Sequence, residues 1–132
     1  MKKLLVLPLL LLSLIAYSAE YMPFPEAEIS EEEWNMYYEE IKTKFGDTER
    51  TYPEQNLVTF SDSSTYMNFA FTTKGHPAHP SWITRQVVQE NQNINMQQIG
   101  YFAGSEEAFA ILFQQYAKLT EQTNQKFRLD GN

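Results

Sequence analysis

Between Leu57 and Phe102 the chain reads as strand almost throughout, and it is broken once, by Lys74-Gly75-His76-Pro77-Ala78-His79-Pro80. Two prolines three apart cannot lie in a central strand, because proline has no N–H to give to the ladder. The extended sequence must turn there. Upstream, residues 56–61 put Val58 and Phe60 on one face, and Asp62-Ser63-Ser64 is turn chemistry. Residues 65–73 then alternate cleanly, with Met67, Phe69 and Phe71 opposite Tyr66, Asn68 and Thr72. Downstream, residues 82–90 resume strand character with Ile83, Val87 and Val88, and Asn91-Gln92-Asn93 is a hairpin turn. Residues 94–102 form a last strand, although Ile94 and Met96 fall on the opposite face from Ile99 and Tyr101. That change of phase predicts either a bulge or a strand with both faces covered.

Helices flank this region. Ser30-Glu31-Glu32-Glu33 is a capping box, with Ile29 and Trp34 placed for a hydrophobic staple. Trp34, Tyr37, Tyr38, Ile41 and Phe45 recur at helical spacing, and Gly46 ends the pattern, so the spacing predicts a helix over 31–45. Residues 47–55, with Tyr52-Pro53 inside them, read as a connecting loop. After the strands, Ser105 is the N-cap of a second helix whose stripe is Phe109, Leu112, Phe113, Tyr116 and Leu119, with Ile111 beside it. Its expected end is near Thr123. Gly100 and Gly104 read as a bulge and a helix lead-in rather than a phosphate cradle. The predicted class is α+β: helix, four-stranded antiparallel meander, helix, with the helices packed on one face of the sheet. Helix followed by meander resembles the topology of cystatin-like folds, without any cystatin motif, and topology does not carry function.

The N-terminus predicts a destination. Lys2 and Lys3 precede an apolar, Leu-rich run to Ala16, and Ala16-Tyr17-Ser18 supplies small residues for cleavage after Ser18. This is the three-part pattern of a secretory signal peptide over 1–18. The run is too short to cross a bilayer, which needs about 20 residues. Residues 19–29 contain Met22-Pro23-Phe24-Pro25 and read as an extended arm with Phe24 tucked onto the core. Residues 30–124 form one domain and 125–132 a flexible tail. The expected location is the periplasm, with secretion as the alternative.

Charge and composition exclude several functions. Removal of Lys2 and Lys3 leaves eight basic residues against 17 acidic ones, a mature net charge of −9. Nucleic acid and anionic membrane surfaces both need the opposite sign. With no cysteine there is no disulfide, and no thiol nucleophile or thiolate ligand. The glutamates crowded between Glu20 and Glu40 read as a solvated helix face, or more sharply as a dock for a basic partner.

The two histidines of the chain, His76 and His79, are the candidate metal ligands, for a late-row divalent ion. Pro77 and Pro80 deny them helical presentation, and a closed site would need further ligands such as Asp62 or Glu90 brought by the fold. The plainer reading is a shaped loop whose histidines hydrogen-bond to backbone. Ser81 near His79 is not by itself a triad, there is no nucleophile elbow, and the paired glutamates share one exposed environment. The balance leans away from an enzyme, a small hydrolase or isomerase using His79 as base being the remote alternative. The leading expectation is a non-enzymatic binding or accessory module of the bacterial envelope, meeting another envelope protein. Its surface would be the exposed sheet face and an interaction loop of Gly75, His76, Pro77, His79, Pro80 and Trp82. The alternative is a metal-binding protein that uses His76 and His79.

Overall fold

The computed structural model describes residues 23–130. The expected signal peptide over 1–18, the first residues of the arm and the last two residues of the chain lie outside them. Helix α1 (Glu31–Phe45) starts at the capping box: Ser30 Oγ accepts from the Glu33 N–H at 3.0 Å, and Glu33 Oε1 accepts from the Ser30 N–H at 2.9 Å. Its end passes into a 3₁₀ turn, Gly46–Thr48, with Gly46 still in the right-handed region. The Thr48 hydroxyl donates to the Phe45 carbonyl and accepts from the Ser61 N–H at 2.8 Å, which ties this turn to the sheet.

The sheet has five strands where four were expected: β1 (Arg50–Tyr52), β2 (Leu57–Asp62), β3 (Met67–Thr72), β4 (Ser81–Glu90) and β5 (Asn93–Phe102), antiparallel throughout and ordered as in the chain. β1 lies within the segment read as a loop. Its three residues are all exposed, so no hydrophobic alternation marks them; they are held by pairing with β2, Arg50 opposite Thr59 and Tyr52 opposite Leu57. The turn between β2 and β3 is shaped by Asp62, whose carboxylate accepts from Ser64 N–H, Ser64 Oγ and Thr65 Oγ1. These bonds hold its pKa below the usual value.

The helices lie on opposite faces of the sheet, not on one. Register puts Val58, Phe71, Trp82 and Tyr101 in one cross-strand row and Phe60, Phe69, Thr84 and Ile99 in the next. That face carries α1, with Trp34 and Ile41 buried against Phe60, Phe69, Phe71, Trp82 and Tyr101. Tyr37 stacks on Trp82 at 4.4 Å between ring centroids, and Tyr38 meets Phe71 edge-on at 5.2 Å. The other face carries α2 (Glu106–Asp130), through Phe109 and Leu112 against Ala78, Ile83 and Phe102. The reason lies in β4: neighbouring residues point to opposite faces, and Trp82 and Ile83 are 0% and 1% exposed. An apolar residue on each face needs a cover on each face, at about 1.5–3 kcal/mol per side chain fully buried.

The phase change in β5 has the same cause. β4 and β5 pair residue for residue from Ser81↔Phe102 to Glu90↔Asn93, leaving no place for a bulge. Gly100, expected as part of a bulge, instead lets α2 come close: a Cβ there would stand 2.5 Å from Phe109 Cζ and 3.0 Å from Phe113 Cδ2. Ile111, read as flanking the stripe, is 62% exposed. α2 also runs to Asp130, through residues expected to be a tail. Polar contacts help to hold its second half. Thr120 Oγ1 donates to Gln98 Oε1 at 2.6 Å, and the Asn124 amide accepts from the Met96 N–H and donates to its carbonyl.

The arm follows the sheet only briefly. Phe102 N–H donates to the Ala27 carbonyl and Ile29 N–H to the Phe102 carbonyl, a parallel bridge at the end of β5. Phe24 then turns onto the α1 face, edge-on to Tyr37, Trp82 and Tyr101, and Tyr101 Oη donates to its carbonyl. Burial pushes the Tyr101 phenol up to about 12.

Candidate functional site

The histidine loop joins β3 to β4 as two consecutive turns. His76 N–H donates to the Thr73 carbonyl at 3.1 Å, and His79 N–H to the His76 carbonyl at 3.0 Å. The first turn puts its third residue at positive φ, and Gly75 occupies it at +101°. In the second, Pro77 sits at the first central position, where its fixed φ suits the turn. The His79–Pro80 peptide is cis.

The loop is built into the body of the domain. Ala78 is fully buried in the cluster beneath α2, and both imidazoles are half-buried. Thr73 N–H donates to the Asn56 carbonyl, and Ala103 N–H to the Pro80 carbonyl at 2.8 Å. Gly104, which leads into the helix capped by Ser105, also lies so close that a Cβ would meet the His79 carbonyl oxygen at 2.6 Å.

The two histidines serve different neighbours. His79 Nδ1 lies 2.8 Å from Thr72 Oγ1, and its ring meets Trp34 of α1 edge-on at 5.1 Å. Thr72 Oγ1 accepts from the Ser81 N–H and donates to the Ser81 carbonyl. A hydroxyl has one hydrogen, so with both of these bonds formed His79 Nδ1 carries the proton and donates to Thr72. His76 Nδ1 accepts from the Ala78 N–H at 3.0 Å. Its neutral ring therefore carries hydrogen on Nε2, and that N–H is the group it can offer outward. Burial lowers the pKa of both rings; the charge of His79 lowers His76 further, and for His79 the Thr72 backbone and Glu31 push back upward while Lys74 adds to the lowering. Both are thus neutral near pH 7.

His76 lines a recess of about 360 Å³ between the loop and α2, with Leu57, Leu112, Tyr116, Leu119, Gln55 and Gln115 as the other walls. Its walls are mainly apolar with a few polar groups, the usual make-up of a small-ligand site. Sequence reading missed these partners. Tyr116 and Leu112 belong to the helix stripe taken as core, and Leu57 comes from a third segment; only the fold brings them together. Arg85 was also missed. Its guanidinium lies over the Tyr116 ring at 5.3 Å, Nη1 donates to Met96 Sδ, and buried Nε has no hydrogen-bond partner among the described residues.

Trp82, placed by sequence reading in the interaction loop, is completely buried and cannot touch a partner. Ser81 is equally buried, and its Oγ is without a hydrogen-bond partner among the described residues. For metal binding the two rings differ: His79, with its proton on Nδ1, keeps a lone pair on Nε2, whereas the lone pair on His76 Nδ1 already accepts the Ala78 N–H. A metal at His76 Nε2 would require that bond to break or the ring to lose its last proton. Among the described residues no group of three or more His, Asp or Glu side chains is placed to hold a metal ion. Of the aromatics that could stack on a ligand, Trp34 and Tyr101 are buried, Tyr37 is half-buried against Trp82, and Tyr66 stands exposed in the turn before β3. No family model, curated protein or solved structure matches this chain.

Proposed function

We propose that this is an exported binding module of the bacterial envelope, without catalytic activity of its own, which holds an amphipathic group in the cleft between the His-Pro loop and α2. The single observation that supports it is His76: half-buried, neutral near pH 7, with Nδ1 tied to the loop and Nε2–H left as a donor in an otherwise largely apolar recess. A ligand with an aliphatic or aromatic body and one hydrogen-bond acceptor matches that lining. The contact surface differs from the one read from the sequence, because both faces of the sheet carry a helix and Trp82 is internal. The loop and the adjoining flank of α2 remain as the surface.

The test uses ¹⁵N-labelled protein beginning at Ala19 and a set of small amphipathic fragments. Binding fragments are expected to move the amides of Leu57, His76, Leu112 and Tyr116, and to be lost in His76→Phe, which keeps the ring volume but removes the donor. Fragments that move other amides, or that bind His76→Phe equally well, overturn the site. For export, mass spectrometry of the protein recovered from its native envelope is expected to find an N-terminus at Ala19; an N-terminus at Met1 refutes it.

A further inference from the structure

β5 is an edge strand, and its outer edge is only partly covered. In an antiparallel pair, residues alternately turn both N–H and C=O towards the neighbouring strand and away from it. Met96 turns both outward, to Asn124 of α2, and Phe102 turns both outward, to Ala27 and Ile29 of the arm. Gln98 and Gly100 lie between them at the same parity, in an unbroken ladder with β4. Their N–H and C=O groups therefore also point outward, and no described residue bonds to them. Edge strands are commonly guarded by a charge, a proline or a bulge. From Asn91 to Ser105 the sequence has no charge and no proline, and the register has no bulge.

Beside these free groups lies a recess of about 500 Å³, walled by Gly100, Phe102, Phe109, Phe113, Ala110 and Ala27. It occupies the flank of α2 opposite the His76 cleft, which is lined by Leu112, Gln115, Tyr116 and Leu119. Exposed Glu106 stands on its wall, and exposed Glu26 and Glu28 belong to the arm that ends the edge. The arm itself does not extend along the edge: before Ala27 the Phe24 ring is drawn onto the other face, to Tyr37, Trp82 and Tyr101, and Pro25 has no N–H for the next outward carbonyl, that of Gln98.

We propose that the β5 edge between Met96 and Phe102 receives a short extended segment of a partner protein. It pairs with Gln98 and Gly100 as a sixth strand, seats one small apolar side chain in the recess, and carries a lysine or arginine towards Glu106 and Glu28. Such strand addition takes affinity from main-chain bonds and specificity from side-chain pockets. The acidic rim and the net charge of −7 select a basic segment. A second copy of this chain fits less well. Symmetric edge-to-edge pairing would bring its own Asn124 and arm into the same narrow opening, and its own negative charge with them. The inference is independent of the His76 cleft, and each can fail without the other.

The test has two arms on ¹⁵N-labelled protein from Ala19. In the free protein the Gln98 and Gly100 amides are expected to exchange quickly while those of Ile99 and Tyr101, bonded to β4, exchange slowly. Slow exchange at Gln98 and Gly100 at every protein concentration overturns the proposal, and protection that grows with concentration assigns the edge to a second copy and overturns the occupant. In the second arm, random dodecapeptides displayed on phage are selected against the protein. Enriched peptides are expected to alternate small apolar residues with lysine or arginine and to protect both amides. They should lose binding when N-methylated at the pairing residue, and weaken about tenfold or more with Ala110→Arg, a bulky cation at an exposed helix position. No enrichment, peptides that leave both amides exchanging, or indifference to Ala110→Arg refutes it.

Discussion

Gly100→Ala is the sharpest test of how the two layers meet. The added methyl would stand 2.5 Å from Phe109 Cζ and 3.1 Å from Phe109 Cε1, with Phe113 Cδ2 at 3.0 Å. Phe109 cannot swing aside freely, because it is buried and stacked on Phe102 at 5.1 Å. Overpacking of this kind costs about 1–3 kcal/mol. Gly100 is not at positive φ, so alanine also removes backbone freedom from the unfolded chain, which stabilises by about 0.4–1 kcal/mol. The net expectation is a loss of about 1–2 kcal/mol, or roughly 4–8 °C in Tm. Urea unfolding followed by the fluorescence of buried Trp34 and Trp82 measures it. In a Phe109→Leu background, where the outer ring atoms are gone, the same Gly100→Ala change should become neutral or stabilising, a coupling of about 1–3 kcal/mol. Equal effects in both backgrounds, or a more stable Gly100→Ala parent, would show that α2 does not rest on β5 through this contact.

Three further outcomes are expected. His76 and His79 both have lowered pKa values in the fold, so the unfolded chain binds protons more readily; stability is complete above about pH 6.5 and declines as pH falls below it. Replacing both with glutamine should flatten urea midpoints between pH 7 and 5, and an unchanged profile counts against burial of the rings. Ser30→Ala removes the Glu33 N–H acceptor and is expected to cost about 1 kcal/mol, read by thermal unfolding; no change in Tm would mean the cap is not holding the helix start. Zinc, nickel and copper are expected to raise the Tm of the parent no more than that of His76→Ala/His79→Ala, because His76 Nε2 carries its ring's hydrogen and, among the described residues, no group of three or more His, Asp or Glu side chains is placed to hold an ion. A rise specific to the parent would restore the metal reading.

Much of the architecture was legible because its causes are local. The capping box is spelled out over four residues, Ser30 to Glu33, and the alternation of Met67, Phe69 and Phe71 declares a strand without help from elsewhere. The turn between β4 and β5 lies at Asn91-Gln92, where Asn91 takes positive φ, a conformation asparagine tolerates. β1 was hidden because its residues are exposed and only pairing makes them a strand. Of the site, the sequence marked the two histidines but not what each would face.

By itself, then, the amino-acid order determined the α+β class, the start of both helices and the place where the strands must turn, since each follows from the geometry of a few neighbouring residues. Only the tertiary structure decided that α1 and α2 cover opposite faces, that His76 turns to one and His79 to the other, and that Trp82 is internal. The physical reason is burial on both sides of β4 and β5: an apolar residue announces that it needs a cover, but which helix supplies it depends on register and on contacts between segments far apart in the chain.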